Sequence, residues 1–189
     1  MKSHTKLAVT LAGAVLLLVG DNGSAQTKTA ADLFTALKPG QWVKIEGAAQ
    51  KDMTVIAKEV KLLTGDFQDD DYEIEAPVRA ILDKTKKQFQ LLSIPVAMEA
   101  DAKYESDDGT FTSFEQLKPG MFVEIEGAYL KDGSFLADEV QPEVADPEEA
   151  GGVVLVGKAE KVDAVKRTIT IMGVTFQIGE KTKVKSVIK

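Results

Sequence analysis

Val43 and Ile45 alternate with Lys44 and Glu46, and Val123 and Ile125 alternate with Glu124 and Glu126. This period of two is that of a strand with one face buried and one face wet. Comparable runs predict strands over Ile56–Val60, Leu136–Val140, Ala76–Leu82, Gln88–Ser93 and Pro95–Ala100. Three more are predicted over Val153–Val162, Thr168–Met172 and Val174–Ile178. Two short stretches, TAADLFTAL and TFTSFEQL, break the alternation and predict helical turns with Thr or Ser available as caps. The pattern predicts an all-β fold with short helices.

The pattern occurs twice. From Phe34 to Val60, 15 of 27 residues equal those 80 positions later, without a gap. The phrase LKPGQWVKIEG at Leu37–Gly47 returns as LKPGMFVEIEG at Leu117–Gly127. A fainter match at the same offset aligns Leu82–Val96 with Val162–Phe176, so the chain carries an internal duplication. In Leu-Lys-Pro-Gly, proline presets the first corner of a type II turn and glycine supplies the positive φ of the second. Gly47 ends the following strand at a bulge or barrel corner. Lys131-Asp132-Gly133-Ser134 reads as a hairpin turn. Its counterpart has Met53 in place of the glycine, so the turn there is expected to differ.

Each unit reads as three strands, a short helix and two strands, the order of an OB-type small barrel. The fold expected is two OB-like small β-barrels. One unit, residues 75–141, is uninterrupted; residues 31–62 are a tail half without a head, and 153–189 a head half without a tail. Acidic linkers at 63–74 and 142–152 separate them. The simplest closure pairs the two orphan halves. Two alternatives stay open: neighbouring halves pair as 30–105 and 110–189, or halves complete each other between chains.

The run VRAILDKTKKQFQLLSIPV, followed by FTSFEQLKPGMFVEIEGAYLKDGSFLADEV, resembles the bacterial "domain of unknown function 5666" family. The resemblance implies exported, tandem, small β-barrel domains of unassigned activity. Its motifs are turn and core residues, so it implies no catalytic site. One departure is Ile94-Pro95 standing where Gly173-Val174 stands in the other copy, shifted by a residue, which puts the second-to-third strand turn of the central unit in question.

The beginning of the chain adds a compartment. Lys2 and Lys6 precede the apolar run Leu7–Gly20, and Gly23-Ser24-Ala25 supplies small residues for a cut. This reads as a secretory leader over residues 1–25, with the mature chain starting at Gln26 in the periplasm or outside the cell and not inserted in a membrane. Removing two Lys and one Asp with it moves the net charge from −7 to −8. His4, the only histidine, leaves as well, and the chain has no cysteine. The mature protein then lacks the common ligands of zinc, copper and haem, and any Ser-His or Cys-His nucleophile.

Candidate sites are few. In LTGDFQDDDYEIE, alternation in an extended chain puts Asp69, Asp71, Glu73 and Glu75 on one side. Asp66, Asp69, Asp71 and Glu73 are the candidate ligands for a weak cation such as calcium, against the alternative of a solvated acidic linker. Trp42 and Phe122 are equivalent and out of phase with the inward Val and Ile. They either cover the short helix or neighbouring barrel, or present a binding surface. Val156–Lys189 carries eight Lys or Arg against three acids. The overall acidity argues that this excess complements acidic segments of the same chain rather than nucleic acid. The expectation is an exported, non-catalytic binding or scaffold protein without a cofactor. Its partner is another exported protein or a glycan, with calcium as the small-ligand alternative. The other alternative is a structural subunit that assembles through exchanged half-units.

Overall fold

The computed structural model describes residues 29–50, 54–143 and 152–186. The leader, residues 51–53 of the turn that corresponds to 131–134, and residues 144–151 of the linker read over 142–152 lie outside them. A single α-helix, α1 (Ala30–Ala36), opens the described chain. Its first turn is closed by a capping box: Asp32 N donates to Thr29 Oγ1, and Thr29 N donates to Asp32 Oδ2. The strands follow as β1 (Trp42–Ala49), β2 (Val55–Leu62), β3 (Tyr72–Asp83), β4 (Gln88–Leu91) and β5 (Ile94–Tyr104). After a 3-10 turn at Phe114–Gln116 come β6 (Phe122–Tyr129) and β7 (Phe135–Pro142). The last four are β8 (Gly152–Lys158), β9 (Lys161–Asp163), β10 (Thr168–Ile171) and β11 (Val174–Ser186).

The eleven strands of the described residues join one sheet, in the order β4-β5-β7-β6-β3-β8-β1-β2-β11-β10-β9, and β4 also pairs with β3. That last pairing closes β3, β4, β5, β7 and β6 into a five-stranded barrel. The remaining strands follow the same course. β8 pairs with β1, β1 with β2, β2 runs parallel to β11, and β10 connects β11 to β9. β8 and β9 together occupy the place that β3 holds in the first barrel. The N-terminal strands β1 and β2 therefore lie between β8 and β11 from the other end of the chain.

The repeated phrase has a visible job. In both copies the first strand changes partner midway, and the Leu-Lys-Pro-Gly turn sits at that change. Gly120 N donates to Val78 O at 2.7 Å and Val78 N donates to Met121 O at 2.7 Å. The other copy repeats this: Gly40 N donates to Ala159 O at 2.8 Å and Ala159 N donates to Gln41 O at 2.9 Å. One residue on, Glu160 N donates to Thr170 O, so the strand has passed from β1 to β10. The switch splits the expected single strand over Val153–Val162 into β8 and β9. Gly40 and Gly120 hold φ of +88° and +86° with open space where a Cβ would be, so glycine is required by conformation alone.

Gly47 and Gly127 serve a different need. Each stands where the register slips against the next strand, a bulge. A Cβ on Gly127 would lie 2.2 Å from Leu136 O, and one on Gly47 would lie 2.6 Å from Ile56 O. Backbone approaches too closely there for any side chain.

Several strands run longer than periodicity suggests. β3 begins at Tyr72, so its first residues lie in what reads as acidic linker, and β5 and β11 continue to Tyr104 and Ser186. Bulge-like irregularities at Met98/Lys103 and Ile178/Lys183 break the alternation, while pairing with β7 and β2 resumes beyond them. The turn at Ile94-Pro95 keeps the length of its counterpart but differs at its second corner. Leu91 faces Ile94 and Ile171 faces Val174, so both copies use one two-residue connection. Leu92 and Met172 take a positive φ at the first corner, Gly173 holds φ +71° at the second where Ser93 does not, and Pro95 simply follows on the strand.

The core runs through both barrels. Phe89 and Phe135 are fully buried in the first, and Ile45, Ile169 and Phe176 in the second. The barrels meet where β3 pairs antiparallel with β8: Ile74 faces Leu155, flanked by Glu73 opposite Val156 and Glu75 opposite Val154. Ile74 and Leu155 occupy equivalent positions, since Ile74 also faces Ile125 on β6 and Leu155 faces Ile45 on β1. The seam is therefore a local two-fold axis relating the two units.

The two glycine roles separate experimentally. Gly40→Ala should cost about 1 kcal/mol, from the positive φ alone. Gly127→Ala should cost about 3 kcal/mol or more, because a backbone contact must open as well. Urea unfolding of the two variants checks the order; equal losses would refute the close-approach account.

Candidate functional site

The outward face of the seam collects a cluster of three carboxylates. Strand alternation turns Ile74 inward and sends Glu73 and Glu75 to the outside of β3. β6 places Glu124 opposite Glu75 and Glu126 opposite Glu73. One carboxylate oxygen from each of Glu73, Glu75 and Glu124 lies within 4.8 Å of the other two. From across β8, Lys44 of β1 reaches Glu73 at 3.2 Å and Glu75 at 3.4 Å. All four side chains are half-buried. Val154 and Val156 of β8 lie between them.

Crowding like charges in a half-buried place disfavours ionisation. Burial, opposed by Lys44 and reinforced by Glu73, pushes the Glu75 carboxyl up to about 7. Burial and the charges of Glu73, Glu75, Glu143 and Glu126 push Glu124 up to about 7. Burial works against charge on Lys44, but Glu73 and Glu75 more than offset it and hold the ammonium above its ordinary value. The site thus keeps spare protons near neutral pH. A hard cation offered three oxygens would compete with those protons and with Lys44.

Residues chosen from the acidic stretch do not gather. Asp69 is held by Lys158 at 2.5 Å, a hydrogen bond that lowers its carboxyl below the ordinary range. Asp71 Oδ2 accepts from Gln68 N, which closes the turn ahead of β3. Asp66 precedes that turn, and its carbonyl accepts from Gln68 Nε2. Of the four, Glu73 alone enters the carboxylate triad. The turn at Asp69–Asp70 ends the extended alternation on which the common side depended. Glu124 was available from the duplication: it is the equivalent of Lys44, a charge reversal at one outward position.

Trp42 does not face solvent. It is 8% exposed, stacked on Phe67 at 5.0 Å and against Tyr72 of β3 at 4.7 Å between ring centroids. Lys158 lies over its ring at 5.5 Å. Tyr72 in turn covers Gly157, where a Cβ would meet the tyrosine ring at 2.8 Å. Trp42 therefore covers the neighbouring barrel's first strand. Phe122, at the equivalent place on β6, is half-buried. A shallow depression beside α1 is lined by Phe34, Thr35 and Arg167, with Ala31 and Ala164.

Fold and seam define a class: an all-β protein made of duplicated small barrels fused through a common sheet. Residues 19–61 and 75–141 match the model of the family described as Domain of unknown function (DUF5666), and the chain belongs to that family. Neither curated proteins nor solved structures yield a match.

The raised carboxyls have a definite consequence for stability. Glu75 and Glu124 start from 4.5 in the unfolded chain and sit near 7 when folded. Their contribution is complete below about pH 4.5 and is lost as pH rises to about 7. After discount for solvent screening it is on the order of 1 kcal/mol per group. Glu124→Gln should therefore stabilise the protein at pH 8 and flatten the decline between pH 5 and pH 8. Thermal melts across that range check this; an unchanged profile would show that the triad is ionised without cost.

Proposed function

We propose that this is an exported, non-catalytic binding or scaffold protein, periplasmic or secreted, that acts through the outer faces of its two OB-like barrels. The observation that supports it is how the two copies differ. Residues identical in both mostly close the barrels: Leu37/Leu117, Val43/Val123, Ile45/Ile125 and Ala57/Ala137 are buried, and the shared glycines make turns and bulges. Outward side chains are where the copies diverge, as Lys44/Glu124 and Lys58/Asp138 illustrate. An architecture of this kind presents surfaces to a partner such as an exported protein or a glycan. Expression of the full chain in a Gram-negative host tests the export part. The expected product is a periplasmic or secreted protein with Gln26 at its N-terminus; a full-length cytoplasmic product would overturn it. The non-catalytic part predicts no turnover in a broad hydrolase screen. Activity that disappears in Glu124→Gln would refute it.

A second reading rests on the carboxylate triad: Glu73, Glu75 and Glu124 hold a hard cation such as calcium weakly. Millimolar calcium should then raise the melting temperature through linkage, by more at pH 8 than at pH 6, because protons compete for the same oxygens. The rise should vanish in Glu75→Gln/Glu124→Gln and persist in Asp69→Asn/Asp71→Asn. A rise that follows the aspartates instead would move the site to the acidic turn, and no rise would remove it.

A further inference from the structure

In each five-strand ring, two strands are not neighbours of the seam strand. They are β5 and β7 in one barrel, and β11 and β2 in the other. The local two-fold axis relates these two pairs, so they form opposite poles of the molecule. Their registers correspond residue by residue at an offset of 80: Val96 faces Phe135 as Phe176 faces Val55, and Lys103 faces Glu139 as Lys183 faces Glu59.

At positions equivalent by this offset the two poles carry opposite charge, with Asp101 and Lys181 in the irregular segments of β5 and β11. Asp101, Glu105 and Asp138 on one correspond to Lys181, Lys185 and Lys58 on the other, and Gln141 corresponds to Lys61. Lys103/Lys183 and Glu139/Glu59 keep their signs. Over these six positions one pole has four acids against one Lys, net −3, and the other has five Lys against one acid, net +4. The acid among these six positions on the basic pole, Glu59, is already answered, and the further acid on β11, Glu180, lies 4.0 Å from Arg167. Burial alone would raise Glu59, but hydrogen bonds from Lys185 and Lys61 hold its carboxyl below the ordinary range. Asp101, Glu105, Lys58 and Lys181 are exposed.

The same divergence is seen satisfied at the seam. Lys44, the equivalent of Glu124, reaches across β8 to the carboxylates of β3. At the poles the complementary charges sit on opposite sides of one molecule and cannot meet within it. They can meet between molecules.

We propose that the β5–β7 face of one copy binds the β2–β11 face of a second copy, so that the protein associates head to tail through oppositely charged versions of one duplicated surface. The contact is heterologous, and each molecule retains a free pole of each sign for the next. Repetition gives a ring or an open chain. This deepens the scaffold reading above and rests on it. Attraction between exposed charges is screened over about 10 Å at 0.1 M salt, so association depends steeply on ionic strength.

Sedimentation velocity on the purified protein, free of nucleic acid by its absorbance ratio, tests this. At about 20 mM salt the mean mass should rise with concentration, and at about 0.5 M it should return to the monomer. Lys58→Asp/Lys181→Asp cancels the basic pole and Asp101→Lys/Glu105→Lys the acidic pole. Each variant alone should associate at least about tenfold more weakly. Mixed in equal amounts they retain one intact pole of each sign, and should form a one-to-one pair and nothing larger. Melting temperatures near that of the parent protein verify folding; where a reversal unfolds the chain, Lys58→Gln/Lys181→Gln and Asp101→Asn/Glu105→Gln replace it. A wild-type protein that stays monomeric at low salt overturns the proposal. So does association that ignores both variants, or that responds to the basic-pole variant alone, which would mark a polyanionic partner. Any of these leaves the leader-processing and turnover results of the scaffold reading untouched.

Discussion

Everything in this molecule is arranged around three residue pairs between β3 and β8, centred on Ile74 against Leu155. Both side chains are fully buried. Each belongs to a strand that is hydrogen-bonded on two flanks, to its own barrel on one side and to the other barrel on the opposite side. A strand so used cannot keep one partner along its whole length. It leaves β6 or β1 where the Leu-Lys-Pro-Gly turn donates to it, and continues with β4 or β10. The two units thereby share one sheet, in which β1 and β2 lie between β8 and β11 and lose the edges that a lone half-unit would leave open.

The antiparallel seam imposes an approximate two-fold relation, and that relation gives the surface charges their meaning. Several outward residues, Lys44/Glu124 and Lys58/Asp138 among them, have diverged in sign between the copies while the inward ones remain apolar. At the seam, divergence brings an ammonium to a carboxylate cluster that would otherwise repel itself. At the poles it yields faces of opposite charge with the same strand geometry. Trp42 illustrates a third use of the seam: an aromatic that alternation assigns to the outside is covered by Phe67 of the connecting segment and Tyr72 of the adjoining unit.

Sequence by itself determined what depends on near neighbours. Alternating Val and Ile specify strands because a pleated strand turns every second side chain the same way. Proline followed by glycine specifies the corner at residues 39–40 and 119–120, because few other pairs accept its dihedrals. The duplication itself is a local comparison, and so is the sign change from Lys44 to Glu124. Tertiary structure alone decided which strands lie side by side. Periodicity is the same whichever of three closures is made, and the pairing of β1 with β8 joins residues more than 100 positions apart. The Glu73–Glu75–Glu124 cluster, the burial of Trp42 and the opposition of the charged poles all follow from that pairing. A carboxylate's neighbours across a sheet are set by strand order and register, and neither is written in the residues on either side of it.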